Sequence, residues 1–127
     1  MLMVLIVDDN KNMTAALEDI LDLEDIKSKA VYDPETFLRL MDDKDFFNFS
    51  IIIMDYNLEA PLNGINLLMR ADERNLLHDK KVYFYSGNVN YINGDEREFL
   101  ADRKITIFEK TQMSEMISSI IKDVTKE

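Results

Sequence analysis

Five polar side chains stand where apolar runs of the chain stop. Asp8 and Asp9 follow the first run, Asp55 the third, Ser86 the fourth, and Lys110 lies just beyond the fifth. If the runs are strands of one sheet, three carboxylates, a hydroxyl and an ammonium meet on one rim. Carboxylates crowded in a cleft repel one another and must protonate or recruit a cation. Oxygen ligands without histidine or cysteine suit Mg2+, or Mn2+ in its place. A carboxylate beside such an ion can attack phosphorus and form an acyl phosphate, by a catalysis that is mostly positioning and charge neutralisation. The Ser86 hydroxyl and Lys110 can each meet the transferred oxygens. Any one of these residues alone has a plainer reading, the aspartates as helix caps above all. The weight lies in the ordered set.

The elements that would position them follow from hydrophobic periodicity. Strand-like runs cover residues 2–7, 27–32 (the weakest), 50–54, 82–85 and 105–108. Three are continuous and apolar, as strands covered on both faces should be. Helical patterns lie between them. Met13, Leu17, Ile20 and Leu21 share a face, and Phe37, Leu40 and Met41 form a stripe behind the Asp33-Pro34 helix start. A third helix is expected from about Gly64 to Leu77. The clearest amphipathic pattern is Met113, Met116, Ile117, Ile120, Ile121 and Val124. Residues 89–102 are the least legible stretch, because Gly94 sits inside it. Strict alternation of five strands and five helices, with right-handed crossovers, predicts an α/β fold: a doubly wound (βα)5 parallel sheet with helices on both faces. Its ligand site belongs beyond the carboxyl ends of the strands.

Composition narrows the function classes. The 127 residues fit one domain, 1–127, and with 46% hydrophobic and 31% charged residues can bury a core without staples. With 15 basic against 25 acidic residues the net charge is −10, which repels phosphate backbones and argues against direct nucleic-acid binding. An acidic surface is also what solubility favours. The absence of cysteine excludes disulfides, zinc–thiolate sites and thiol catalysis. The apolar start lacks a basic leader and is broken by Asp8-Asp9, too short for a membrane span and wrong for a signal peptide. The expected location is cytoplasmic.

The segments Val4-Leu5-Ile6-Val7-Asp8-Asp9-Asn10, Ile51-Ile52-Ile53-Met54-Asp55, Tyr85-Ser86-Gly87 and Phe108-Glu109-Lys110 together resemble the receiver domain of response regulators, over the whole chain. The resemblance implies the flavodoxin-like strand order 2-1-3-4-5. It implies Asp55 as the phosphoacceptor, and Asp8, Asp9, Asp55 and the Asn57 backbone carbonyl as the metal ligands. Ser86 would hydrogen-bond the phosphoryl group and Lys110 would pair with it. The donor would be a phosphohistidine on a histidine kinase or phosphotransfer protein. Such a domain is a signalling module, catalysing only its own phosphorylation and dephosphorylation. With no output domain expected in the chain, phosphorylation would act through the face of the fourth helix, fifth strand and fifth helix. The readers would be a downstream partner, a separate output domain or a phosphorylation-linked homodimer.

Three departures fall on signalling. The family's lysine is normally followed by proline across a cis bond, whereas Thr111 follows Lys110. The switch aromatic usually stands three residues before the lysine, where this chain has Ile107; Phe108, one residue later, faces the other way on a strand and reads better as a buried core residue. The loop after Asp55 carries Glu59 where proline is frequent, with Pro61 and Gly64 later. His78, the single histidine, reads as a surface residue, and Phe46, Phe47 and Phe49 as packing under the second helix. Two rival functions stay open: a receiver-fold binding module acting without phosphorylation, and a Mg2+-dependent phosphohydrolase. The hydrolase lacks a second acid, because Asn57 stands two residues after Asp55.

Overall fold

The computed structural model describes residues 3–58 and 62–125. Five parallel strands, β1 (Met3–Val7), β2 (Lys27–Val31), β3 (Ile51–Asp55), β4 (Lys81–Ser86) and β5 (Thr106–Glu109), form one sheet in the order β2-β1-β3-β4-β5. Between and after them run α1 (Lys11–Leu23), α2 (Pro34–Met41), α3 (Gly64–Glu73), α4 (Gly94–Asp102) and α5 (Met113–Thr125). The order is the one that the resemblance implies. Among the described residues, no helix is long and apolar enough to cross a membrane.

The central strands are apolar on both faces because each face meets helices. Leu5, Val7, Ile52, Met54, Val82 and Phe84 pack with residues of α2, α3 and α4. Their strand neighbours Val4, Ile6, Ile51, Ile53, Tyr83 and Tyr85 pack with residues of α1 and α5. The period of two divides each run between two core layers. Phe37 of α2 meets Phe46 edge to face, with ring centroids 5.9 Å apart. Burial of each such ring is worth about 1.5–3 kcal/mol. Phe46 and Phe49 are core residues, while Phe47 is exposed.

Helix boundaries follow local capping chemistry, and two differ from expectation. Asp33 caps α2 with Pro34 behind it, as the pattern predicts. The third helix stops at Glu73 rather than Leu77, because Asn75 takes a left-handed φ of 57° and the Leu76 N–H turns back to the Ala71 carbonyl. Leu76 and Leu77 remain buried, so the apolar pattern outlasts the helix. Gly94 opens α4 instead of interrupting it. Asn93 caps the helix and Glu96 returns the bond, a capping box that the glycine obscures.

Candidate functional site

The five strand-end residues are brought together at the carboxyl rim. β1 ends at Val7, and Asn10 then caps α1 by accepting from the N–H groups of Asn12 and Met13. That tight entry holds Asp8 and Asp9 above the sheet. Asp8 is fully buried, with Oδ1 accepting from the Asn10 N–H at 2.9 Å and Oδ2 from the Tyr85 hydroxyl. Asp9 is half-buried beside it. One carboxylate oxygen from each of Asp8, Asp9 and Asp55 lies within 4.8 Å of the others.

Asp55 closes β3 and is fully buried. Its Oδ1 accepts a long bond, 3.3 Å, from the Asn57 N–H, while Oδ2 has no hydrogen-bond partner among the described residues. Lys110 Nζ lies 3.5 Å from Oδ2, an ion-pair distance rather than a strong hydrogen bond. Burial pushes the Asp55 carboxyl up to about 7, the neighbouring Asp8 charge pushes the same way, and Lys110 opposes both. A buried acceptor oxygen without a donor, inside a ring of acids, fits a bound divalent cation.

Gly64 fixes Asp55 from behind. A Cβ there would collide with the Asp55 carbonyl oxygen and stand 2.9 Å from Met54 Cγ, so only glycine lets α3 start this close to β3. The Gly64 N–H also donates to the Tyr56 carbonyl at 3.0 Å.

Ser86 is fully buried at the end of β4, and its Oγ accepts from the Asn88 N–H at 3.2 Å. Lys110 opens a short 3-10 turn leading into α5, and no peptide bond among the described residues is cis, Lys110–Thr111 included. The lysine thus reaches the acid cluster from a trans loop. Asn57 is exposed on the loop beside Asp55. Glu59 and Pro61 lie outside the described residues.

Ile107 and Phe108 point to opposite layers, as alternation requires: Ile107 packs against the side of α2, α3 and α4, Phe108 against the side of α1 and α5. Phe108 is not the buried core residue expected. It is half-buried, its ring 6.4 Å from that of Tyr83, because β5 is an edge strand with no neighbour beyond it. His78 is exposed, its ring nitrogen 2.9 Å from the Asn75 carbonyl.

Two contributors escaped the reading of the sequence. Tyr85 is wholly buried, and its phenol is pushed upward by burial and by the Asp8 charge. Glu96 is a buried acid in the first turn of α4, and it gathers three donors. They are the Asn93 N–H at 3.0 Å, the Tyr56 hydroxyl at 3.3 Å and Asn63 Nδ2 at 3.2 Å. Tyr56, the residue following Asp55, is thereby tied to α4. Only the Asn93-x-x-Glu96 spacing hints at this in sequence, since Tyr56 and Asn63 lie 40 and 33 residues away.

The comparisons with known proteins agree with this geometry. The family model described as the response regulator receiver domain matches residues 4–121. Among solved structures, the chain is similar to a receiver protein from Pseudomonas putida (21% identity, covering 98% of this chain and 96% of that one, TM-score 0.73). It is similar to a CheY-like receiver domain from Methanospirillum hungatei (20% identity, 99% and 98%, TM-score 0.72). A third is the response regulator TrrA from Thermotoga maritima, solved in complex with Mg2+–BeF (18% identity, 96% and 98%, TM-score 0.71). The search of curated proteins finds no match.

Proposed function

Because the chain belongs to the response regulator receiver domain family of two-component signalling, we propose that it accepts a phosphoryl group on Asp55 from a partner's phosphohistidine. The observation that carries this reading is the Asp55 carboxylate itself: buried, raised to about 7, with an oxygen that no donor satisfies and Lys110 at 3.5 Å.

Asp8, Asp9 and Asp55, with the Asn57 carbonyl, would hold Mg2+ or Mn2+, and the ion when bound supplies positive charge against the carboxylates and the transferring phosphoryl oxygens. The chain's own residues do the rest. Ionised Asp55 attacks phosphorus through Oδ2; the bond from phosphorus to the donor breaks and the donor keeps the electron pair. The Lys110 ammonium and the Ser86 hydroxyl neutralise the transferred oxygens. Gly64 and the start of α3 keep Asp55 from retreating as charge moves. Tyr56, bonded to Glu96, passes displacement of the acceptor loop to α4. That route matters here because Ile107 offers no aromatic switch. Output goes to a downstream partner protein or an output domain, or through a homodimer.

Intact-protein mass spectrometry after incubation with acetyl phosphate, with and without Mg2+, tests the reading on wild type and Asp55→Asn. A Mg2+-dependent gain of one phosphoryl group in wild type alone supports it. No gain, where a known receiver is modified, moves the assignment to a binding module that acts without phosphorylation.

A further inference from the structure

Tyr85 lies in the layer covered by α1 and α5, where a phenylalanine would fill the same volume. Its hydroxyl therefore calls for a separate account. It donates to Oδ2 of Asp8, and the ring centroid lies 5.8 Å from Lys110 Nζ. Tyr85 is also in strand register with Asp55, and its carbonyl accepts from the Tyr56 N–H at 2.9 Å. One side chain on β4 thus touches the acid cluster at Asp8 and lies under the Lys110 ammonium.

The consequence falls on Asp8. With the Asn10 N–H on Oδ1 and Tyr85 on Oδ2, both oxygens are held from outside the cluster, so the carboxylate plane cannot turn. Its remaining lone pairs then face in directions set by the fold. Outer partners of this kind orient ligands for a cation, and their loss typically weakens metal affinity about 10–100-fold. A merely buried tyrosine satisfying its hydroxyl offers a comparison two residues away. Tyr83 donates to Asp123 from the same strand, remote from the acids.

We propose that Tyr85 is a positioning residue for the divalent-cation site, its hydroxyl holding the Asp8 carboxylate in the orientation that the Asp8, Asp9 and Asp55 cluster needs. This rests on the metal-dependent reading above and deepens it.

The test is Mn2+ affinity by titration calorimetry on the full chain, for wild type, Tyr85→Phe, Tyr83→Phe, Asp8→Asn and the Tyr85→Phe/Asp8→Asn double variant. Tyr85→Phe is expected to weaken Kd about 10-fold and Tyr83→Phe less than about twofold. Tyr85→Phe should add nothing in the Asp8→Asn background, because it acts through that carboxylate. Phosphorylation of Tyr85→Phe by acetyl phosphate should recover at saturating Mg2+, which a collapsed site would not do. Wild-type affinity in Tyr85→Phe, losses that multiply in the double variant, or no recovery at saturating Mg2+ would each overturn the proposal alone. A wild type that binds no Mn2+ overturns the metal reading, and this proposal with it.

Discussion

Two buried charges at opposite ends of the sheet are treated in opposite ways. At the amino end, just before β4, the Lys80 side chain is fully covered, yet its ammonium donates to the Phe49 carbonyl at 2.7 Å. It also lies 3.7 Å from Asp79 and 5.0 Å from the Phe46 ring centre. At the carboxyl end, Asp55 is as deeply buried and faces two further acids, with one oxygen unsatisfied. Burial opposes the charge in both, lowering the lysine's affinity for its proton and raising the carboxyl's. Lys80 recovers the cost through partners within the fold, whereas Asp55 recovers only part of it, from Lys110 at 3.5 Å and a long bond from the Asn57 N–H. A buried charge with its partners in place supports the structure; one left partly unsatisfied among like charges is poised for a ligand.

The sharpest way to break the contrast is to remove the cation beside Asp55. Lys110→Met should slow phosphorylation by acetyl phosphate about 10²-fold, the usual scale for losing one charge-stabilising donor, with little change in folding. Quantitative mass spectrometry over time measures it. Truncation at the other end should do the reverse. Lys80→Ala leaves the Phe49 carbonyl without its donor and should cost about 2 kcal/mol in urea unfolding, while phosphorylation proceeds.

Asp55→Asn should instead stabilise the chain, by about 1–2 kcal/mol at pH 8 in EDTA, since it removes a charge that the site opposes. The pH dependence carries the same sign. Asp55 ionises near 3.8 unfolded and about 7 folded, so between those values the folded state holds the extra proton. Wild-type stability should therefore be highest below about 4 as far as this group is concerned, and should fall as pH rises through about 7. Asp55→Asn should lose that slope, and urea midpoints across the window would reveal an unaltered one. The smallest effect belongs to an exposed pair: Arg74→Ala, which breaks a 2.9 Å bridge to Asp42, should change stability by less than about 0.5 kcal/mol.

Much of the molecule is legible in residue order because the signals are local. The continuous apolar runs predict the central strands, and Asp33-Pro34 marks α2. The acids, Ser86 and Lys110 stand at strand ends whatever the packing. Local signals failed where a turn overruled a pattern, at Leu76 and Leu77 beyond the end of α3. They failed also where a capping box hid behind a glycine, at Gly94. Phe108 departs from the expected core burial because burial depends on a strand's place in the sheet, and β5 lies at its edge.

By itself, the sequence determined the alternation of elements, and with it the end of the sheet where the five polar groups gather, since strand direction follows from the crossovers. Only the tertiary structure decided how those groups are held. The Tyr85 hydroxyl on Asp8, Glu96 tying Tyr56 to α4, and the collision that reserves Gly64 join residues far apart in the chain. Such contacts depend on register and layer spacing, which arise only when the sheet and its two helical faces close together.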